Sequence, residues 1–481
     1  MITHATGKHA GQSAFVLGIR QILVHAVNIT GGIILARVLK PADFGVFAIF
    51  SFLVGMGSAL CDMGLGASLI QQSSDPEKRK IDVIVTFQIT FALCIVLAIW
   101  LAAPFIIRLY HQNNLDTSQL RTLSFLLIFN VFFSINTAQL ERKLAFSRLS
   151  VIEIGLSFLY QSVMVLYALR GLGVWSFVIG SLVKSFCGAI ILSIASGYFP
   201  RFNWEFSLVR PNVRFGFFYQ SNVFISMIKD SIVPTFVGMM LGTASVGYIG
   251  WAGVLSGYPI LLISALNRIY LPFFSRLAAD KIQMAKLLEK ILLWSNRIVA
   301  PLSLAIIVFC YPITLHIYKK DWLPAVPLMI FFCIGNVFVA SSGPCLGLLN
   351  AIGKPERTLI YTSLWAILIW VLGVPMIKFF GLIGFGIAYV FICFSNIFLI
   401  VDCQKRYPFR FGWMIVLPWI TAVLVSALFY FVTKEHQITT VLSLLLYATG
   451  FIVVYSLSLF LLQPKQILSD IKSILPHQKR L

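Results

Sequence analysis

Five charged residues interrupt apolar stretches of the sequence in which charge is otherwise rare. Four are basic, Arg20, Lys184, Lys229 and Arg297, and one is acidic, Asp230. A charge in the middle of a segment that crosses a bilayer costs about 3 kcal/mol or more, so such residues face protein, a water-filled cavity or a ligand. The surplus of cations indicates a site for an anionic ligand, because an anion that leaves water needs charged partners.

A polar stripe follows Arg20 along the first apolar stretch. Gln21, His25 and Asn28 recur at i, i+4 and i+7, so they share one face of a helix. Such a face offers hydrogen bonds to a ligand or to a neighbouring helix. His25 keeps two interpretations, a place in a cavity and packing between helices, and proton coupling is a third.

A second stripe surrounds Lys229. Asn222, Ser226 and Lys229 recur at the same helical spacing and form one polar face. Asp230 lies about 100° further round the helix, so the two neighbours need not form an ion pair. We favour charge balance for Asp230 and keep binding of a coupling ion as the alternative. Pro234 removes a backbone donor and is expected to kink the helix.

The segments that carry these residues indicate an all-α polytopic membrane protein. The chain is 59% hydrophobic and 11% charged, with a mean hydropathy of +0.90, whereas a soluble globular protein is about a quarter charged. Apolar runs of about 20 residues, enough to cross a bilayer as a helix, recur along the whole length. They predict fourteen spans: 13–37, 43–62, 82–107, 121–138, 151–169, 172–196, 214–238, 246–267, 291–314, 324–349, 358–380, 382–402, 411–432 and 438–462.

The distribution of basic residues predicts the orientation of these spans. Most of the 37 Lys and Arg residues lie before the first span, after even-numbered spans or in the tail, which places both termini in the cytoplasm. The first span is expected to be retained, since it is too long for the core of a signal peptide. The net charge of +20 then reflects loops held against anionic lipid rather than a nucleic-acid site.

Each basic residue of the candidate site also has a structural interpretation. Lys229 can be balanced by Asp230, and any of the cations can be satisfied by backbone carbonyls or by extending its side chain to the interface. The interface is nearest for Arg20 and Arg297, whereas Lys184 lies at the centre of its span.

Two amphipathic segments adjoin the predicted spans. Leu277, Met284, Leu288 and Ile291 share a helical face, and a similar pattern recurs over 467–475. Both segments suit helices that lie along the cytoplasmic surface, and both suit ordinary connecting helices.

Two corners of the sequence are related by an internal repeat. Leu39-Lys-Pro-Ala-Asp-Phe-Gly45 and Leu241-Gly-Thr-Ala-Ser-Val-Gly247 each end one span and begin the next, 202 residues apart. Span one then corresponds to span seven, and both run in the same direction. This predicts two parallel six-helix lobes related by an axis along the membrane normal. The predicted divisions are 1–197 and 198–403 for the lobes, and 404–481 for two additional spans and a basic cytoplasmic tail.

The sequence lacks the arrangements typical of a metal site, a cofactor site or a catalytic centre. The eight cysteines lie in or beside apolar spans without a C-x-x-C pair, and we interpret them as small buried hydrophobic residues. Paired carboxylates, a phosphate-binding glycine-rich loop and a nucleophile arrangement are also missing. We therefore expect neither an enzyme nor a bound cofactor.

Several short motifs occur in a consistent order along the chain: Leu35–Gly45 (LARVLKPADFG), Cys61–Gly66 (CDMGLG), Ile70–Gln72 (IQQ), Arg210–Gly216 (RPNVRFG), Leu271–Arg276 (LPFFSR), and Asp321-Trp322 followed by Pro324 and Pro327. Together they resemble the polysaccharide transporter family, the Wzx-type flippases of the multidrug/oligosaccharidyl-lipid/polysaccharide superfamily. The resemblance implies fourteen helices, arranged as two six-helix lobes plus two C-terminal helices, in a fold similar to that of multidrug exporters of the same superfamily.

The resemblance also implies a function. Such proteins move undecaprenyl-diphosphate-linked oligosaccharide units from the cytoplasmic to the periplasmic leaflet of the bacterial inner membrane by alternating access. The transported units are used for the synthesis of exopolysaccharide, capsule or O-antigen. The lipid-linked glycan and membrane lipids are then the partners, with the polysaccharide polymerase machinery as a further one to consider.

The resemblance gives the charged and polar residues a common role. The cations are expected to bind the diphosphate or an acidic glycan, while the polar stripes offer hydrogen bonds to sugar hydroxyls. The candidate substrate-binding residues are Arg20, Gln21, His25, Asn28, Lys184, Asn222, Ser226, Lys229, Asp230 and Arg297.

Two other functions fit the composition less well. An exporter of drugs or organic cations would need acidic residues at mid-depth, where this chain has more bases than acids. A membrane polymerase or glycosyltransferase would need a large extracytoplasmic loop or an acidic catalytic cluster, and the longest predicted outer loop is short.

Overall fold

The computed structural model describes residues 20–21, 23–62, 77–112, 114–205, 223–277, 280–435 and 438–464. These ranges consist of helices and their connections and contain no strand, so the predicted all-α class is confirmed. The helices are α1 (Leu23–Val38), α2 (Pro41–Asp62), α3 (Lys78–Leu109), α4 (Thr117–Arg142), α5 (Phe146–Leu169), α6 (Val174–Ser196), α7 (Val223–Leu241), α8 (Thr243–Arg276), α9 (Lys281–Ile317), α10 (Lys320–Ala351), α11 (Glu356–Arg406), α12 (Trp413–Glu435) and α13 (Val441–Leu462).

Twelve helices in the described ranges are long and apolar enough to cross a membrane, and α1 is a shorter apolar helix. The longest, α11, has 51 residues, and Gly381 interrupts it with φ 59° and ψ −135°. A straight helix of that length would measure roughly 76 Å, more than twice the ~30 Å of a hydrocarbon core. The interruption lies at the predicted boundary between spans eleven and twelve. A multi-pass helical membrane protein is therefore confirmed, whereas the count of fourteen spans stays a prediction.

The short connection between α5 and α6 depends on two glycines. Gly171 and Gly173 have φ of 79° and 53°, values that residues with a Cβ rarely adopt. The chain can therefore reverse within a few residues, and the break predicted between the fifth and sixth spans is confirmed.

The chain divides into two compact units, Met1–Gly250 and Trp251–Leu481. The lobe boundaries predicted from the repeat, at 197/198 and 403/404, stay a prediction. Within the first unit, the connections between helices form two groups, one on each side of the unit, and successive connections belong to alternate groups.

On one side of the first unit, the two repeat-related corners touch through their glycines. A Cβ added to Gly45 would overlap the Thr243 carbonyl oxygen, and one added to Gly247 would overlap the Pro41 carbonyl oxygen. Thr243 follows Pro41 by the same 202 residues that separate the glycines. Each corner therefore makes with the other the same contact that it receives, which is the pattern of a two-fold relation.

The loop between α3 and α4 binds this corner. Tyr110 donates its hydroxyl to the Pro234 carbonyl at 2.9 Å, Gln112 accepts from the Thr243 amide at 3.0 Å, and Asn114 donates to the Thr243 hydroxyl at 2.7 Å. Burial raises the pKa of Tyr110 to about 12, so the hydroxyl stays protonated as a donor. The backbone around Pro234 forms a π-helical turn, Val233–Val237, where the proline predicts a kink.

On the other side, the segment after α6 binds the beginning of α3. Asp82 is buried and accepts from the Tyr198 hydroxyl at 2.6 Å and from the Arg201 amide at 3.2 Å. Burial, together with this hydrogen bond, raises the pKa of Tyr198. Lys143, in the α4–α5 turn, donates to the Ser196 carbonyl at 2.9 Å. The α4–α5 turn, the end of α6 and the beginning of α3 therefore lie together.

In the second unit, two of the family-like motifs contribute to the core. Trp322 is fully buried and stacks on Trp251 with ring centroids 5.1 Å apart. Phe274 is 2% exposed and packs in an apolar cluster formed mainly by α9, α10 and α11. These motifs carry packing rather than chemistry.

The amphipathic segment before the ninth predicted span is not a separate surface helix. Asp280 caps α9 by accepting from the amides of Ile282 and Gln283. Met284 and Leu288, on the apolar face, are 0% exposed in the core of the second unit. The structure therefore favours a connecting helix, because protein already covers the face that would have contacted lipid. The similar segment over 467–475 lies outside the described residues.

Candidate functional site

The polar stripe of the first span faces α5. Arg20 forms an ion pair with Glu153 at 2.6 Å, and both side chains are largely shielded, at 15% and 27% exposure. About two turns further along α5, Gln161 donates to the Asn28 side-chain oxygen at 3.1 Å. Two of the candidate residues therefore have partners on α5 that lie 133 positions away in the chain.

The remaining stripe residues contact each other. Gln21 Nε2 lies 3.1 Å from His25 Nε2, and both side chains are half-buried. This contact within one helix turn is compatible with both the cavity and the packing interpretation of His25. Proton coupling stays a prediction.

Lys184, on α6, faces α5, the helix that the stripe also contacts. Its Nζ is 5.0 Å from the centroid of the Tyr160 ring, and Glu153 lies within electrostatic range. Within the described part of the chain, Lys184 has no hydrogen bond and no salt bridge at contact distance. An aromatic face stabilises a cation by about 0.5–2 kcal/mol without neutralising it. An anionic ligand can therefore pair with the Lys184 side chain without displacing a carboxylate from contact distance.

The α5 residues of this site were missed in the sequence, although a signal was present. Glu153, Tyr160 and Gln161 are spaced at i, i+7 and i+8, which places them on one helical face. The sequence alone gives Glu153 no partner, because Arg20 lies 133 residues away in the chain.

A cavity of about 620 Å³ lies beside these helices, within the first unit. Its wall combines apolar side chains with hydroxyl and amide groups from four helices. The polar lining residues are Ser51, Ser58, Asp62, Gln88, Asn130, Ser134 and Ser181. None of them was a candidate from the sequence, although Ser51, Ser58 and Asp62 recur at i, i+7 and i+11 on α2.

The second stripe lies on α7. Lys229 and Asp230 form an ion pair at 2.8 Å, at 35% and 64% side-chain exposure. This agrees with charge balance as the role of Asp230, although the helical geometry had not required a pair. Ser226 is half-buried, and Asn222 lies outside the described residues. Val223, at the beginning of α7, lines the cavity.

Arg297 lies in the second unit, on α9, and is 6% exposed. It donates to the Gln463 side-chain oxygen at 3.0 Å, and its carbonyl accepts from the Tyr455 hydroxyl at 3.2 Å. Its guanidinium also lies 5.4 Å from the centroid of the Trp294 ring. These contacts join α9 to the C-terminal helix, and they favour the structural interpretation of Arg297.

The four basic residues therefore differ in how far their charge is balanced. Arg20 and Lys229 have carboxylate partners, Arg297 has neutral partners, and Lys184 faces an aromatic ring. In the described ranges, three or more His, Cys, Asp or Glu side chains do not cluster as a metal site would require. The first unit thus offers a cation beside a largely neutral polar cavity.

A family model described as polysaccharide biosynthesis protein matches residues 34–327 of the chain. The lipopolysaccharide biosynthesis protein WzxC of Escherichia coli (strain K12) is 19% identical over 359 residues, which cover 71% of this chain and 68% of that protein. The succinoglycan biosynthesis transport protein ExoT of Rhizobium meliloti (strain 1021) is 21% identical over 322 residues, covering 67% of this chain and 65% of that protein.

The fold has a solved counterpart. The structure of the lipid II flippase MurJ in an inward closed conformation superimposes with a TM-score of 0.75 at 15% identity. The superposition covers 93% of this chain and 99% of that chain. At this identity the likeness shows a shared fold.

Proposed function

Because the chain belongs to the polysaccharide biosynthesis protein family, we propose that it is a flippase for lipid-linked oligosaccharides. It moves undecaprenyl-diphosphate-linked repeat units from the cytoplasmic to the periplasmic leaflet of the bacterial inner membrane, without a catalytic step. The names of its relatives, which refer to lipopolysaccharide and succinoglycan biosynthesis, support a glycan cargo. The fold of a lipid II flippase supports a cargo carried on a lipid.

The observation that carries this proposal is the position of Lys184, a basic side chain within a membrane-crossing helix that faces the Tyr160 ring. Glu153, the partner of Arg20, lies within electrostatic range of Lys184, but Lys184 has no carboxylate at contact distance in the described ranges. A diphosphate that enters the protein loses its water and needs a cation in exchange. We assign the diphosphate to Lys184 and Arg20, and the glycan to polar groups of the same unit. Lys229 and Asp230 on α7 are a further, internally balanced part of the same site.

The proposal includes an architecture for the movement. The repeat-related halves, 1–197 and 198–403, act as two lobes that rock about the site by alternating access, with 404–481 as an addition. The termini lie in the cytoplasm, as the distribution of basic residues predicts. The reciprocal contact between the Gly45 and Gly247 corners supports a two-fold relation between the halves.

The test is a deletion of the gene in its source organism, followed by extraction of lipid-linked glycans. We expect completed repeat units to accumulate in the cytoplasmic leaflet, where a glycan-modifying enzyme added to spheroplasts cannot reach them. Wild-type protein should clear them, whereas Lys184→Ala should lower the flux by about 10- to 100-fold, the value of a charge-assisted hydrogen bond. Lys184→Arg, which keeps the charge, should retain part of the flux.

Lys378→Ala is the matched control, because Lys378 is also a cation of a membrane helix but is exposed. It should transport at the wild-type rate at equal expression. Repeat units that reach the outer leaflet but stay unpolymerised would identify a polymerase instead. Unchanged glycans together with increased sensitivity to cationic drugs would identify an exporter.

A further inference from the structure

We propose that the cavity of the first unit is a binding site for the sugar part of the cargo, separate from the cations that hold its diphosphate. This inference rests on the proposed flippase function and assigns a division of labour within it. The ligand class is a neutral saccharide chain that presents hydroxyl groups.

The size and composition of the cavity suit such a ligand. Its volume of about 620 Å³ falls within the ~300–1,000 Å³ typical of small-molecule sites. Phe47, Leu127 and Phe133 supply apolar surface, while hydroxyl and amide groups are distributed between them. A prenyl chain would leave these polar groups without partners, and that costs about 1–3 kcal/mol for each.

Two serine hydroxyls of α2 are available to a ligand. Many Ser and Thr hydroxyls on these helices bond to the preceding turn, as Thr86 does to the Asp82 carbonyl at 2.8 Å and Ser193 to the Ala189 carbonyl at 2.7 Å. In the described ranges, Ser51 and Ser58 make no such bond, and both line the cavity. Their hydroxyls can therefore donate to sugar oxygens or accept from sugar hydroxyls.

Gln88 adds an acceptor in the wall. Its side-chain nitrogen lies 3.3 Å from Asp62 Oδ1, which fixes the direction of the amide. Its oxygen is buried and has no hydrogen-bond partner among the described residues. A sugar hydroxyl in the cavity can donate to this oxygen once the Gln88 side chain turns toward it, whereas an ionised phosphate oxygen, which is an acceptor, cannot.

The charge of the described part of the wall does not suit the diphosphate. Among the lining residues that the structure describes, the charged side chain is the carboxylate of Asp62, and none is Lys, Arg or His. The nearest candidate cation in the chain is Lys184, one turn after the lining residue Ser181 on α6. The anionic and the sugar-bearing ends of one ligand would therefore meet different walls.

The extent of the polar lining favours a saccharide chain over a single ion. Ser51 and Asp62 are eleven residues apart on α2, which is about 16 Å along the helix axis. Oxygen ligands of one cation converge within about 2.3–2.6 Å of it. Groups spread over such a length suit successive sugar rings.

The experiment compares two ligands on the purified full-length protein in lipid nanodiscs. One is undecaprenyl diphosphate, and the other is the undecaprenyl-diphosphate-linked oligosaccharide extracted from the deletion strain. Wild-type protein should bind the glycan-bearing lipid more tightly. Gln88→Leu and the cavity-filling Ser58→Phe should each weaken its binding by about tenfold, and the binding of undecaprenyl diphosphate should change by less than about twofold.

Gln119→Leu is the control for burying a leucine in place of a glutamine. Gln119 is 8% exposed and its side-chain oxygen also lacks a partner among the described residues, but it does not line the cavity. It should bind both ligands as wild type does. Lys184→Ala should weaken the binding of both ligands by a similar factor.

The outcomes separate this inference from the proposed function. If Ser58→Phe and Gln88→Leu bind both ligands like wild type, or weaken both equally, the cavity is not the sugar site although the protein remains a flippase. If wild-type protein binds neither ligand, the flippase proposal itself fails. Retained preference for the glycan-bearing lipid in Ser58→Phe is the most direct contradiction, because the Ser58 hydroxyl has no hydrogen bond to lose in the described ranges.

Discussion

Arg20 and Lys184 are cations of the same unit, and their neighbours give them different roles. Arg20 lies 2.6 Å from the Glu153 carboxylate, so much of its charge is balanced before any ligand arrives. Lys184 faces the ring of Tyr160 and has no ion pair at contact distance in the described ranges. An anion gains more from an unbalanced charge than from a balanced one. Lys184 is therefore the stronger candidate for the diphosphate, and Arg20 also has a part in fixing α5.

The Arg20–Glu153 pair yields a prediction about stability. Glu153→Gln leaves the shielded guanidinium without its carboxylate, which costs about 3–5 kcal/mol for a buried pair. Because the unfolding entropy grows with chain length, each 1 kcal/mol lost should lower the melting temperature of this 481-residue chain by about 1 °C, so we expect a fall of about 3–5 °C. Arg20→Gln combined with Glu153→Gln should recover part of this loss, because the uncompensated charge is gone. The measurement is thermal unfolding of the purified protein, followed by tryptophan fluorescence.

The exposed Arg79–Glu205 pair is the matched control. Its atoms are 2.7 Å apart, but its side chains are 63% and 38% exposed. Solvent screens such a pair, so Glu205→Gln should shift the melting temperature by less than about 1 °C. Equal shifts for Glu205→Gln and Glu153→Gln would show that shielding does not distinguish the pairs.

At the scale of helices, α2 and α8 contact each other near their first residues, at a glycine in each helix. Gly45 and Gly247 let the two backbones approach, and the α3–α4 loop adds hydrogen bonds to the same corner. Small residues at a crossing allow this close packing in membrane proteins. In a protein that works by alternating access, a contact without interlocking side chains is also one that can separate.

Gly45→Ala tests this contact. Its Cβ would overlap the Thr243 carbonyl, so α2 and α8 must move apart. We expect a lower melting temperature and at least a severalfold loss of glycan transport in the deletion strain. Gly250→Ala is the control, because Gly250 lies one turn beyond Gly247 on α8 and a Cβ there meets nothing within 4 Å. Wild-type behaviour of Gly45→Ala would mean that the close approach has no role in stability or transport.

At the scale of the whole molecule, the alternation of connections fits a chain that crosses the membrane repeatedly. The α1–α2, α3–α4 and α7–α8 connections meet on one side of the first unit. The α4–α5 turn and the segment after α6 lie with the beginning of α3. Most of the 37 Lys and Arg residues lie in the connections that follow even-numbered predicted spans and in the termini, which predicts that these face the cytoplasm.

Reporter fusions test this orientation. Alkaline phosphatase, which is active only outside the cytoplasm, should be active when fused after residue 113 and inactive after residue 353 or 481. Green fluorescent protein should give the opposite pattern at the same positions. Phosphatase activity at the C-terminus would reverse the orientation, and mixed activity at all three positions would contradict a single topology.

Local sequence determined the fold class and much of the helix order. Apolar runs long enough to cross a bilayer must form helices there, because each backbone group needs a partner within its own segment. The breaks were equally local, as at Gly171, Gly173 and Gly381, whose positive φ a residue with a Cβ rarely adopts. The motifs in their order also sufficed to identify the family that the matching model shows.

The composition of the site was decided by tertiary structure. Local spacing placed Arg20 and Lys184 inside membrane helices, but it did not give Arg20 the Glu153 partner 133 residues away. It also did not show that Ser58 and Gln88, on different helices, share a cavity wall. A helical periodicity fixes which residues lie on one face, whereas the packing of helices fixes what that face meets. For this reason the sequence predicted which charges enter the membrane, and only the fold showed which of them are balanced.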